Sequence, residues 1–429
     1  MIDSNTMDRR RFLAGLAAAV LVGPDLVRGS TGMTALQSKS WKAVQMMLDG
    51  YVQDKKVAGA AVALSYGGTA ITYRASGSIA LDSPVRFDEN SLCRIYSMTK
   101  PVTGIAAMML VEDGRIKLDQ PVADVLPEFR SLRVATDFQK GLESRAAVGT
   151  MTMRHLLTHT AGFSYWTPET PPSALRNAYR ERGITPGNYY GHLTRSGFGP
   201  QAIGLADMVK RVAELPLAYE PGTSWQYSIG LDVMGAVIES VTGKGLDVFL
   251  KERLFDPLRM DSTGFQVAAK NVKRLTTNYT VTPGGLQPRD PAASSVWLKP
   301  PTLLAGAAGL VSTARDFARF GEMLLGDGTL GRVRIMKPET ALLARTNLLP
   351  AGVTSPRGGY GAGAPVVLPG VPNIVGPPGT MVHGGAAGTL WWIDPARQGN
   401  MVFMTQFMPP TSYPARDDIA AAIETDLKR

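Results

Sequence analysis

The chain of 429 residues has a single cysteine, Cys93, which excludes an internal disulfide and a thiolate metal site. Histidine is scarce as well: His155, His159, His192 and His383 are all there are. His155 and His159 can share a helix face, but no glutamate follows the first, so H-E-x-x-H is absent and a zinc site is not expected. No apolar run approaches the ~18–20 residues that a membrane span needs. The net charge is +9, yet the basic residues are scattered, and no Lys/Arg cluster interleaves with aromatics as a nucleic-acid face would. The G-x-S-x-G elbow of α/β-hydrolases is missing, and so is any internal repeat.

What is present is an ordinary globular composition, 44% hydrophobic and 19% charged, long enough for one large domain or two lobes around a cleft. The N-terminus stands apart. Asp8-Arg9-Arg10-Arg11-Phe12-Leu13 precedes a short apolar stretch from Ala14 to Val22. A basic segment before a short apolar one reads as an export signal over residues 1–33, similar to the twin-arginine type. Export to the periplasm is the expectation; a frayed amphipathic start on a cytoplasmic chain is the alternative.

Periodicity then sets out the elements. Val44, Met47, Leu48 and Tyr51 mark a helix over 41–52. Runs at 59–64 and 69–74 flank Gly67-Gly68, which predicts a hairpin. Ile105, Met108 and Met109 form an apolar stripe on a helix over 101–113, with Pro101 in the first turn where a missing N–H matters little. Further helices are predicted over 152–159, 205–215, 229–241, 313–325 and 417–427, and buried strands over 389–393 and 401–406. Residues 163–200 are irregular and rich in Pro, Gly, Tyr and Trp, as a flap over a cleft or a surface insertion would be.

One stretch carries chemistry. Ser97-Met98-Thr99-Lys100 places a hydroxyl and an amine three residues apart at a helix entry, on one face. An amine so held can take a hydroxyl proton if its pKa is lowered, and a helix N-terminus favours developing negative charge. Tyr227-Ser228 follows a Pro-Gly turn at the mouth of an apolar helix, and His383-Gly384-Gly385 precedes a strand, where paired glycines allow close backbone approach.

In this order the three pieces resemble the serine β-lactamase and penicillin-binding-protein superfamily, and within it the class C-related, family VIII carboxylesterases. Leu156-Leu157-Thr158-His159-Thr160-Ala161-Gly162, Tyr219-Glu220-Pro221-Gly222-Thr223 and Gly309-Leu310-Val311-Ser312-Thr313-Ala314-Arg315-Asp316 are similar to segments of that group. The resemblance implies an α+β fold: a mostly antiparallel sheet flanked by helices, plus a second, mainly helical lobe. The corresponding division is 34–100 with about 340–429 for the α/β lobe, and about 101–340 for the helical lobe with the flap-like insertion 163–200. It implies Ser97 as nucleophile, Lys100 and Tyr227 sharing the base role, and the N–H groups of Ser97 and Ala386 as oxyanion hole. No cofactor or metal is implied, and the partner is a small acyl ester.

Two departures bear on substrate. Where β-lactamases carry Asn after Tyr-Ser, this chain has Ile229; where they carry Lys-Thr-Gly, it has His383-Gly384-Gly385. Both changes favour neutral acyl substrates over carboxylated β-lactams. A short- to medium-chain carboxylesterase with side β-lactamase activity is the leading expectation. A cephalosporin-preferring β-lactamase, an acyltransferase, a D-amino-acid peptidase and a non-catalytic penicillin sensor are its rivals.

Overall fold

The computed structural model describes residues 40–167, 170–185, 201–371 and 375–428. The expected export signal and residues 186–200 of the expected flap lie outside the described residues. Residues Ser38–Arg429 form one compact unit.

Its frame is a seven-stranded antiparallel sheet, and strands from both chain ends build it. The order across the sheet is Gly359–Tyr360, Pro365–Val366, Met381–Gly384, Leu390–Asp394, Gly399–Thr405, Gly59–Ser65, Thr72–Gly77. The N-terminal hairpin joins the C-terminal strands through the pairing of Ala60 with Thr405 and Leu64 with Met401. Gly67 and Gly68 both take positive φ, 63° and 74°, as a tight primed turn requires. The second strand starts at Thr72 rather than Thr69, because the Thr69 hydroxyl donates to Tyr66 O at 2.9 Å and belongs to the turn.

Strand periodicity divides the core. Ala60, Val62, Leu64, Trp392 and Phe403 face one way, onto α1 (Lys42–Gln53) and the closing helix Ala415–Leu427. Ala61, Ala63, Trp391, Val402 and Met404 face the other way. There Phe317 and Phe320 of the helix Ala314–Leu325 each pack on Trp391 at 5.5 Å. Every residue of Gly59–Ser65 is buried, so the sheet is covered on both faces.

On that second face α2 (Thr99–Glu112) is buried without a break from Thr99 to Leu110. The expected stripe of Ile105, Met108 and Met109 is part of a wider burial: α2 is a central helix covered all round, with Lys100 and Thr103 among its buried residues. A Cβ on Gly104 would lie 2.2 Å from Ala362 O, so glycine lets the helix seat directly on the chain beneath it. Around α2 are α3 (Met153–Thr158), α5 (Gly204–Ala213) and α6 (Gly230–Thr242). Between α3 and α5 the expected irregular stretch contains a helix, α4 (Ala174–Glu181). Ser173 caps it by accepting the Arg176 N–H at 3.2 Å, and Leu175, Ala178 and Tyr179 are buried at i, i+3 and i+4. Three apolar residues on one face were enough to dock it.

Candidate active site

Ser97 is held from behind. The strand Cys93–Arg94 leads into it, and the Arg94 side chain is wholly buried. Its guanidinium pairs with Asp290, donates to Ser295 Oγ at 3.0 Å and contacts the Trp297 ring. Gln406 clasps the same residue's backbone, accepting its N–H at 3.0 Å and donating to its carbonyl at 3.1 Å. Tyr96 then turns the chain at φ 42°, a left-handed conformation that costs a non-glycine residue about 1–2 kcal/mol. Packing supplies the compensation: Asn278 donates to the Tyr96 hydroxyl at 3.1 Å and Trp297 lies edge-on at 5.6 Å. Past this bend a single 3₁₀ turn, Tyr96–Met98, runs into α2 and leaves Ser97 at the helix mouth.

The spacing expected from the sequence closes here. Lys100, fully buried, places Nζ 3.2 Å from Ser97 Oγ and donates to Ala307 O at 2.9 Å. Tyr227, delivered 130 residues later, donates its hydroxyl to Ser97 Oγ at 2.8 Å. Lys100 Nζ also lies 4.5 Å from the centre of the Tyr227 ring. Serine, lysine and tyrosine thus share one hydrogen-bonded cluster, in which a proton leaving Ser97 has two acceptors within reach.

Behind Lys100 stands a group that no motif announced. Asp232 of α6 is buried and accepts the Ala307 N–H at 2.9 Å, while the carbonyl of that same alanine receives Lys100. Burial pushes the Asp232 carboxyl up to about 6, against the pull of the Lys100 charge. Between an unfolded value near 3.8 and about 6, the folded state keeps a proton that the unfolded chain has lost. The stability contributed by this group therefore falls as pH rises through that interval. The stability of the wild type relative to Asp232→Asn, measured by denaturant unfolding from about pH 4 to 7, should fall as pH rises toward about 6 and level off above it; a difference that does not change with pH would remove the assignment.

His383 and Gly384 lie in the strand Met381–Gly384, and Gly385 begins the turn, donating to Thr389 O at 2.9 Å. The glycines are required for contact rather than flexibility. A Cβ on Gly385 would sit 2.4 Å from Ile95 O, and one on Gly384 2.6 Å from the Arg416 guanidinium carbon. This close approach sets Ala386 in the cavity wall beside Ser97. His383 is buried, its ring Nδ1 lying 2.9 Å from Gly384 O. Burial, reinforced by Lys100 and Arg357, holds it well below the usual histidine range and so uncharged.

Ile229 needs correction. It was expected to face substrate, but it is buried in the core at the start of α6 and does not line the cavity. The N-cap position turns its side chain into the helix layer.

His159 and His155 also part ways. His155 Nδ1 accepts the Thr152 N–H at 3.2 Å, inside α3. His159, past the helix end at φ 60°, accepts the Ser228 N–H at 3.2 Å and packs on the Tyr227 ring at 4.6 Å. It positions the tyrosine, and Tyr165 presses the same ring edge-on at 5.2 Å. Among the described residues no His/Cys/Asp/Glu group can hold a metal ion.

The cluster opens into a cavity of about 320 Å³. Ser97, Tyr165, Tyr227, His383 and Ala386 line it, and so do Arg357 and Arg416, two residues absent from every sequence motif. A serine activated by lysine and tyrosine, set between an antiparallel sheet and a buried helix, defines a serine hydrolase. The chain belongs to the beta-lactamase family, whose model matches residues 44–425. It is 30% identical over 378 residues to esterase EstB of Burkholderia gladioli, covering 84% of this chain and 88% of that protein. It is 32% identical over 364 residues to Protein Rv1367c of Mycobacterium tuberculosis, covering 80% and 83%. Among solved structures it is similar to EstCE1, a hydrolase with promiscuous acyltransferase activity. The TM-score is 0.70 at 25% identity, over 89% of this chain and 97% of that one.

Proposed function

We propose that the protein is a family VIII-type serine carboxylesterase acting on short- to medium-chain esters through an acyl-enzyme. The observation that carries this is the Ser97 Oγ, 2.8 Å from the Tyr227 hydroxyl and 3.2 Å from Lys100 Nζ, at the floor of the cavity. Ser97 Oγ attacks the ester carbonyl carbon, and its proton passes to the Tyr227–Lys100 pair, whose titration belongs to both groups together. Negative charge on the carbonyl oxygen is met by the N–H groups of Ser97 and Ala386. The same proton leaves with the alcohol. Water then enters and gives a proton to the pair as its oxygen bonds to the acyl carbon; the carbon–Oγ bond breaks, and the pair returns that proton to Ser97 Oγ, releasing the acid.

Ester rather than lactam follows from what the site offers. Among the described residues lining the cavity there is no asparagine or glutamine to hold a lactam amide, and His383 stands uncharged at the strand position where β-lactamases carry lysine. The expected result is a kcat/KM on p-nitrophenyl butyrate at least about 100-fold above that on a cephalosporin, the ratio being the measure of differential transition-state binding. A ratio below one would make the protein a β-lactamase instead. The N-terminal arginine segment supports a companion proposal, export to the periplasm, which cell fractionation of the tagged full chain would decide.

A further inference from the structure

A second cavity, of about 580 Å³, shares no residue with the catalytic one. The turn of the N-terminal hairpin, the end of the helix Ala314–Leu325 with the loop after it, and the turn between the strands Leu390–Asp394 and Gly399–Thr405 enclose it. Its polar groups are held in place but only half used. The Glu322 carboxylate is fixed through Oε1, which accepts the Ser65 hydroxyl and, at 2.9 Å, the Asn400 amide; its Oε2 accepts nothing among the described residues. Arg345, only 8% exposed, donates through Nη2 to Asp327 Oδ1 at 2.6 Å. Its Nε is buried without an acceptor, and among the described residues neither its Nη1 nor Asp327 Oδ2 is hydrogen-bonded. The Thr329 hydroxyl and the Gln398 amide, from separate loops, line the same cavity. A donor buried without an acceptor is costly, and a ligand oxygen beside Arg345 relieves that cost.

The charges decide what kind of ligand fits. Arg345 is already matched by Asp327, and Glu322 with the carboxyl end of its helix makes the lining net negative, which turns away phosphate and carboxylate. Among the described residues Glu322 and Asp327 have no third acid, histidine or cysteine with which to cage a metal ion. An organic ammonium only donates, and leaves the guanidinium and amide N–H groups unmatched. A hydroxyl both donates and accepts. A ligand carrying several hydroxyls satisfies carboxylate oxygens and guanidinium N–H groups together, while Leu325, Leu330 and Pro395 offer apolar surface to its C–H faces.

We propose that this cavity is a non-catalytic binding site for a neutral saccharide, with Glu322 and Asp327 accepting from its hydroxyls and Arg345, Thr329 and Gln398 donating to them. The proposal stands apart from the esterase reading, because the catalytic cavity lends it no residue.

Saturation-transfer NMR on the full chain tests it, with maltose, lactose, cellobiose and N,N′-diacetylchitobiose as probes. At least one should bind with a Kd of about 1–10 mM or tighter. Glu322→Gln keeps the shape and an oxygen for Ser65 and Asn400 but turns the open acceptor into a donor, and should weaken binding by about tenfold or more. Gln398→Gly removes an amide at φ 45°, a conformation glycine takes without strain, and should weaken binding by about threefold or more. Melting followed by circular dichroism controls for the fold; if Glu322→Gln melts early, Gln398→Gly alone decides. Longer oligomers of the bound sugar identify its source: affinity rising with length marks a glycan chain, equal affinity a free sugar, and both uphold the site. Binding of none of these sugars overturns the proposal. So does binding unchanged in the variants that fold, and so does capture of cadaverine or inorganic phosphate in preference to every sugar.

Discussion

Ser97→Ala should lower kcat on p-nitrophenyl butyrate by about 10⁴-fold or more, leaving the fold intact. The magnitude follows from the chemistry: without Oγ there is no acyl-enzyme, and only the residual catalysis of oriented donors remains. The fold should survive because Ser97 is only half-buried and its backbone is positioned by Arg94, Gln406 and Tyr96 rather than by its own hydroxyl. A fluorophosphonate probe should label the wild type on Ser97, located by mass, and leave Ser97→Ala unlabelled. Turnover within tenfold of wild type, or a label elsewhere, would remove the nucleophile and with it the whole assignment. A wild type that takes no label on Ser97 and turns over no ester would revive the penicillin-sensing alternative.

Tyr227→Phe is expected to be the next most damaging change, with kcat down about 10²–10⁴-fold. KM for a neutral ester should move little. The substitution deletes one oxygen from a ring already clamped by His159 at 4.6 Å and Tyr165 at 5.2 Å, so the cavity keeps its shape. Lys100 stays hydrogen-bonded to Ser97 and Ala307. If Lys100 alone were sufficient as base, single-turnover acylation would continue at a near-normal rate. A fall in both acylation and deacylation is the result that places the tyrosine in the proton path, because the proposed mechanism uses the pair in both steps. Slow fluorophosphonate labelling of Tyr227→Phe should persist, which separates a lost base from a lost fold.

Much of the site was legible because it is local. Ser97 and Lys100 are three residues apart, and a 3₁₀ turn running into a helix puts such neighbours on one face whatever the rest of the chain does. The hairpin at Gly67-Gly68 was legible for the same reason: two adjacent residues with positive φ are a demand glycine meets within the turn itself. Where the expectation failed, the deciding contact was distant. The stripe on α2 became one part of a wider burial because Ala362 and the layers above and below cover faces that periodicity leaves open. Ile229 turned inward because it begins α6, so position in a motif did not fix the direction of its side chain. Residues 174–181 docked as a helix although the surrounding prolines and glycines suggested none.

The charge in the cleft belongs to the second kind. Arg357 and Arg416 are 59 residues apart and neither sits in a recognisable pattern, so nothing local distinguishes them from other surface arginines. Asp232, similarly, looks like one more acid on a helix until Ala307 is seen between it and Lys100. The sequence by itself placed a serine and a lysine on one helix face and strands at both chain ends. These rest on spacing, turn chemistry and periodicity, which act between neighbours along the chain, whereas the roles expected of Ser97, Lys100 and Tyr227 came from the order of motifs that resembles the family. Only the tertiary structure decided which cations share the cavity and which carboxylate lies behind the lysine. Charge is felt through space, and the desolvation that gives it its strength exists only after the fold has excluded water.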